Sequence, residues 1–212
     1  GVGFSGQCFK VADSVSVLDI SGEKWTSIGT SSHKFAGSFN GNGVVIKGLN
    51  DGGKSGTYGL FGYINGAVIS NVIFEDVDLS YGSGSYRGAV AGYLYGTNTI
   101  ENITVSGSIA GNDYVGGIAG KPLLNANNPG TLTIRGCVNA ANIEGKDKIG
   151  GVVGYARADV AGTTKVVVEN CRNTGAVSGA QYIGGIAGWA YNAEIKSCVN
   201  SGVLESAASD SS

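Results

Sequence analysis

One phrase occurs three times in this chain. Val115-Gly-Gly-Ile-Ala-Gly120 returns as Ile149-Gly-Gly-Val-Val-Gly154 and as Ile183-Gly-Gly-Ile-Ala-Gly188, each copy 34 residues after the one before. Shorter relatives precede them at Gly88-Ala-Val-Ala-Gly92 and Gly59-Leu-Phe-Gly62, at intervals of 28 and 30 residues. A second phrase follows each copy: Ile69-Ser-Asn-Val72, Ile100-Glu-Asn-Ile103, Ile134-Arg-Gly-Cys137, Val168-Glu-Asn-Cys171 and Ile195-Lys-Ser-Cys198. A third follows that, as in Gly107-Ser-Ile-Ala-Gly111 and Gly175-Ala-Val-Ser-Gly179. A fixed period of this length is the signature of a stacked repeat architecture.

The apolar pieces are too short for helices, and glycine interrupts each of them. Strands of three to five residues with turns at the glycines fit instead. Three such strands cannot bury a face alone, but stacked on the next period they form parallel sheets around one core. The expected fold is all-β: a right-handed parallel β-helix, the hand favoured for parallel crossovers. It has about five coils of 28–34 residues with three short strands each, plus an N-terminal capping part-coil. At ~4.8 Å per coil the rod is roughly 25–30 Å long. Residues 1–204 form one domain, with 1–35 as cap and lead-in and 36–204 as coils, and 205–212 reads as a flexible tail or linker. The chain opens on Gly1 and contains no Met, which reads as a piece of a longer protein.

Columns test the stacking. The residue after the first apolar position of the second phrase is Ser70, Glu101, Arg135, Glu169 and Lys196 in turn, so the sign alternates from Glu101 onward, as outward neighbours require. Asn139, Asn173 and Asn200 also align, at a turn where amides can bond along the rod and tolerate a left-handed backbone. Cys137, Cys171 and Cys198 fall where earlier coils carry Val72 and Ile103, so they read as small hydrophobes in the core. Adjacent-coil spacing also permits a disulfide there. Cys8 lies outside the repeat.

Together these phrases resemble the GLUG repeat of bacterial surface proteins. The segment from Leu18 through Trp25 to Gly29, then Phe35 to Leu49, is similar to the lead-in of such repeats. The resemblance covers roughly residues 15–204. It implies a secreted or cell-surface location and adhesin-like proteins, some with the repeat beside an IgA-specific metallopeptidase domain. The repeat itself is not known as a catalytic unit.

The residues point away from several classes. Glycine is 38 of 212 residues, more than twice the usual share, yet it keeps no three-residue period and proline is scarce, which excludes collagen. A net charge of −2 with scattered Lys and Arg gives no nucleic-acid footprint, and no apolar run suggests membrane insertion. No Cys-x-x-Cys, His-Glu-x-x-His, nucleophile elbow or phosphate loop occurs, and His33 is alone. Glu75-Asp76-Val77-Asp78 is the densest acidic run; it reads as a solvated turn, with calcium or sugar chemistry as alternatives. We expect no enzyme activity, no metal and no cofactor.

Aromatics give the binding candidates. Tyr63, Tyr93, Tyr95, Tyr155, Trp189 and Tyr191 follow the glycine phrases, on loops expected to leave the rod at one corner, the longest at 121–131 and 155–165. Tyr86, Tyr114 and Tyr182 precede the phrases, with Lys148 in their gap. Such rings either stack on sugars and anchor protein partners, or stabilise the sheets themselves. The expected function is a monomeric, non-enzymatic adhesin-like module for host or environmental glycan or protein. The alternatives are a structural stalk, or an accessory region of a mucosal peptidase or glycan-degrading enzyme.

Overall fold

The structure, a computed structural model, describes residues 3–53, 56–80, 84–160 and 162–206. Among them the strands build an all-β solenoid of about six turns, parallel throughout, around three sheets of 14, 5 and 3 strands. No helix among the described residues is long and apolar enough to cross a membrane. The core is one continuous apolar column from Phe35 to Val177.

Each turn runs along the large sheet, crosses the small sheet, and returns along the five-stranded sheet. The Gly-Gly phrase is a corner rather than a strand: Asp113–Gly116 ends one sheet and Ala119–Leu124 begins the next. The large-sheet stretch is continuous in Ser38–Lys47, Val68–Leu79 and Asn98–Ala110. In the next turn it breaks into Gly130–Arg135, Val138–Asn139 and Asn142–Glu144, which pair with successive parts of Asn98–Ala110. A turn therefore contains more pieces than the three expected, because each corner interrupts the ladder.

The N-terminal segment supplies a rung of its own. Cys8–Lys10 and Val17–Asp19 both pair with Ser38–Lys47, which places Cys8 within the stack opposite Ser38 rather than outside the repeat. Phe4, Phe9 and Phe35 cluster over Phe61 at that end. At the other end Leu204–Ser206 pairs with Val177–Gly179, so the strand uses Glu205 and Ser206, which were expected in the tail. Residues 207–212 lie outside the described residues.

Both polar columns form. Arg135 holds Glu101 through two nitrogens, at 2.7 and 2.5 Å. Asn139 Nδ2 donates to Asn173 Oδ1 at 2.7 Å, and Asn173 Nδ2 to Asn200 Oδ1 at 2.7 Å. Each amide also closes its own turn through a carbonyl two residues on, at Ala141, Gly175 and Gly202. A left-handed backbone is not part of this ladder, contrary to expectation. It belongs to a neighbouring corner, at Asn71, Asn102, Gly136, Asn170 and Ser197. There Asn102 donates to Asn71 and Asn71 to Asn40, a second amide ladder.

The Gly-Gly phrase exists partly for the buried amides. A Cβ on Gly117, Gly151 or Gly185 would lie 2.4, 2.3 and 2.3 Å from the carboxamide carbons of Asn139, Asn173 and Asn200. The Asn column and the second glycine thus require one another. Cys137 and Cys171 are buried in the column begun by Val72 and Ile103, and all four cysteines are thiols. Their Sγ atoms face carbonyls of their own strands, such as Arg135 O at 3.3 Å and Glu169 O at 3.2 Å.

Candidate functional site

The six aromatics named from the sequence lie within strands of the five-stranded sheet, not on loops. Phe61–Asn65 carries Tyr63, Ala91–Tyr95 carries Tyr93 and Tyr95, Val153–Ala158 carries Tyr155, and Ala187–Tyr191 carries Trp189 and Tyr191. Period-two alternation explains this: Ile64, Leu94 and Ala156 point into the core, so their neighbours point outward. The strands reach past the glycine phrases, and both ends of each expected long loop, 121–124 with 130–131 and 155–158 with 164–165, lie in strands.

Register sorts the outward residues into columns. Tyr63 faces Tyr93, Tyr93 faces Lys121, and Tyr155 faces Trp189. One step along, Asn65 pairs with Tyr95, and Leu123 with Arg157 and then Tyr191. The tyrosines before the glycine phrases stand beside these columns and join them. Tyr86 meets Tyr114 at 5.2 Å and Tyr93 at 5.1 Å, and Tyr114 meets Tyr155 at 5.3 Å. Tyr63–Tyr93, Tyr93–Tyr95, Tyr155–Trp189 and Trp189–Tyr191 stack within 17° of parallel. Two sets that looked separate form one aromatic face. Each such pair contributes about 0.5–1.5 kcal/mol beyond its buried area.

Exposure separates these rings. Tyr93 and Tyr155 are 9 % and 5 % exposed, whereas Tyr182 and Tyr191 are 55 % and 47 % exposed. The ends and flanks of the face are therefore its most accessible parts.

Cations occupy the interruptions. Lys121 Nζ lies 4.3 Å from the Tyr114 ring centre, 4.9 Å from Tyr86, 5.3 Å from Tyr93 and 5.5 Å from Tyr155. Lys148 contacts Tyr114 and Tyr182, and Arg157 contacts Tyr191. Burial, then the nearby charges of Arg157 and Lys148, pull the Lys121 ammonium below the usual lysine range. Burial also lowers Lys148, but its hydrogen bond and ion pair with Asp147 outweigh that and raise it. Arg157 is raised by bonds to the Tyr155 hydroxyl and to Asp159. Burial and a hydrogen bond with Tyr95 push the Tyr93 phenol up, so it stays neutral.

The backbone beneath the pre-glycine column is unusual. Tyr86, Tyr114, Lys148 and Tyr182 have φ of 63°, 58°, 60° and 50°. Bulky side chains rarely adopt this left-handed conformation. Other left-handed corners use Gly66, Gly96 and Asn192, or the Asn71 set. No signal in the sequence announces it.

A second feature missed in the sequence is Arg87. It occupies the register of Tyr58 and Val115, fully buried, and pairs with the equally buried Asp51. It also donates to Leu79 O at 2.7 Å and lies 5.2 Å from the Tyr58 ring. Elsewhere, Asp76 pairs with exposed Lys47 at 3.4 Å, Asp78 accepts from Ser80, and exposed His33 meets Ser32 at 3.0 Å. Among the described residues no three His, Cys, Asp or Glu side chains gather to hold a metal.

Comparison with known proteins agrees with this architecture. Residues 179–204 match the family model of the GLUG motif. Halomucin of Haloquadratum walsbyi is 37 % identical over 94 residues, which is 43 % of this chain but about 1 % of Halomucin's length. The crystal structure of a candidate immunoglobulin A1 protease from Bacteroides ovatus superposes with a TM-score of 0.71 over 94 % of this chain and 71 % of that one. At 23 % identity that likeness is one of fold. The motif falls on the last complete period and the same register repeats through the turns before it, which together support a GLUG-repeat protein.

Proposed function

We propose that the chain is a non-enzymatic, secreted or surface-displayed binding module whose aromatic face recognises host or environmental glycan or protein. One observation carries this reading: tyrosines stand in left-handed backbone at Tyr86, Tyr114 and Tyr182, with Lys148 in the turn between, whereas the neighbouring corners mostly use glycine or asparagine. Such a conformation costs about 1–3 kcal/mol per bulky residue, and strain of that kind concentrates at functional sites. The surface location rests on the GLUG motif and the likeness to Halomucin.

The self-stacked rings and the ordered charge column also suit a stiff stalk without a ligand. A glycan array decides between the two, probed with the wild-type chain and a Tyr63→Ala/Trp189→Ala/Tyr191→Ala variant. These positions are more accessible than Tyr93 or Tyr155, so the variant should remain folded, which circular dichroism checks. Selective binding lost in the variant supports the module. Failure of both proteins to bind any glycan or a panel of extracellular-matrix proteins leaves the stalk.

A further inference from the structure

Lys121 is the central cation of the aromatic face, whereas Lys34 lies at its edge, 5.1 Å from the Tyr95 ring, and donates to Ser31 O. Lys148 has Asp147 and Arg157 has Asp159, but no carboxylate among the described residues lies within ion-pair distance of Lys121. Its ammonium is partly withdrawn from water among four rings. Cation–π contact offsets part of that withdrawal, yet rings cannot accept hydrogen bonds as water does. Such a site gains by meeting an anion that brings its own apolar surface.

The neighbouring charges restrict which anion fits. Lys148 and Arg157 are already held by Asp147 and Asp159, so the uncompensated charge at the centre of the face is that of Lys121. A densely charged polyanion would bring more negative charge than this centre neutralises. A ligand with one isolated negative charge matches it.

Resting on the glycan reading above, we infer that the face binds an acidic saccharide through an isolated sugar carboxylate seated on Lys121, with C–H groups of adjoining sugars against the outward edges of the stacked rings of Tyr63, Tyr95, Trp189 and Tyr191. The rungs repeat at ~4.8 Å, comparable to the advance of an extended sugar chain per residue, so neighbouring sugars can meet neighbouring turns. A uronic acid within a chain and an acidic sugar at a chain end both supply this chemistry.

The test uses calorimetry with hyaluronan hexasaccharide, which has one carboxylate per disaccharide, its methyl ester, sialyllactose and heparin hexasaccharide. We expect hyaluronan or sialyllactose to bind, Lys121→Gln and methyl esterification each to weaken binding about tenfold or more, and Lys121→Arg to retain most of it. Binding by hyaluronan but not sialyllactose assigns the internal uronate; the converse assigns the terminal sugar. Binding of the ester as tightly as the acid overturns the role of the carboxylate while leaving the aromatic glycan site standing. That arm uses wild-type protein, so it holds even if a Lys121 variant fails to fold. Heparin binding more tightly than hyaluronan overturns the isolated-charge argument. If none of these saccharides binds, the inference fails; if the wider glycan array is also blank, the glycan reading fails with it.

Discussion

The two halves of the rod bury polarity in different ways at equivalent positions. In the N-terminal turns one large-sheet column is Ile46, Phe74 and Val105, all apolar; in the C-terminal turns the same register is Asn139, Asn173 and Asn200. In the small-sheet column the order reverses. There the N-terminal half has Arg87, paired with Asp51, where later turns have Val115, Ile149 and Ile183. A stack accepts a buried polar group wherever a neighbour satisfies it. An amide ladder does so along the rod, turn after turn; an ion pair does so once, between two turns. The ladder can therefore propagate with the repeat, while the ion pair is a single fixed point.

Breaking the ion pair should give the largest effect. Arg87→Leu leaves the Asp51 carboxylate buried without its guanidinium, and a loss of about 3–5 kcal/mol is expected in chemical denaturation. Adding Asp51→Leu should recover much of it; if the single change costs nothing, the N-terminal half does not depend on this pair.

The amide ladder is the matching test in the other half. Asn173 is itself buried, donates to Asn200 and Gly175 and accepts from Asn139, so Asn173→Leu should cost about 2–4 kcal/mol by leaving those groups unsatisfied. Asn200→Leu, at an exposed rung, should cost under ~1 kcal/mol by the same measurement. Equal losses would mean the ladder is not read through burial. Gly151→Ala forces a methyl against Gly185 O and the Asn173 carboxamide, and overpacking of this kind costs about 1–3 kcal/mol.

Two smaller effects sharpen the contrast between strain and surface charge. Tyr182→Asn should hold or raise the melting temperature, since Asn suits the left-handed backbone better by roughly 1 kcal/mol. A clear loss of stability would show that this ring supports the sheet and weaken the binding argument. Arg135→Gln breaks the ion pair with Glu101 at a largely exposed site; about 0.2–1 kcal/mol is expected, shrinking as salt rises.

The sequence made the solenoid legible because its glycine phrases mark corners at recurring intervals of 28–34 residues, and because the columns of Glu101 and Arg135 and of the three Asn depend only on register. The aromatic face was legible residue by residue but misplaced. Gly62 and Gly92 looked like the ends of strands, while the alternation in Tyr63-Ile64-Asn65 and Tyr93-Leu94-Tyr95 already placed those rings on a sheet. Arg87 was hidden for a different reason. Its partner lies 36 residues earlier in an irregular segment, so no period relates the two. The left-handed tyrosines have no local signature at all, because tyrosine is not a residue that conformation selects.

Constant register between 34-residue periods has an evolutionary consequence. Unequal recombination within such a gene, out of step by one period, would delete or duplicate a whole rung and leave every column aligned. Reach would then change in increments of ~4.8 Å, and the number of ring-bearing rungs offered to a polymer would change in the same increments. Copy number, rather than point substitution, would be the quickest way for such a lineage to retune its grip.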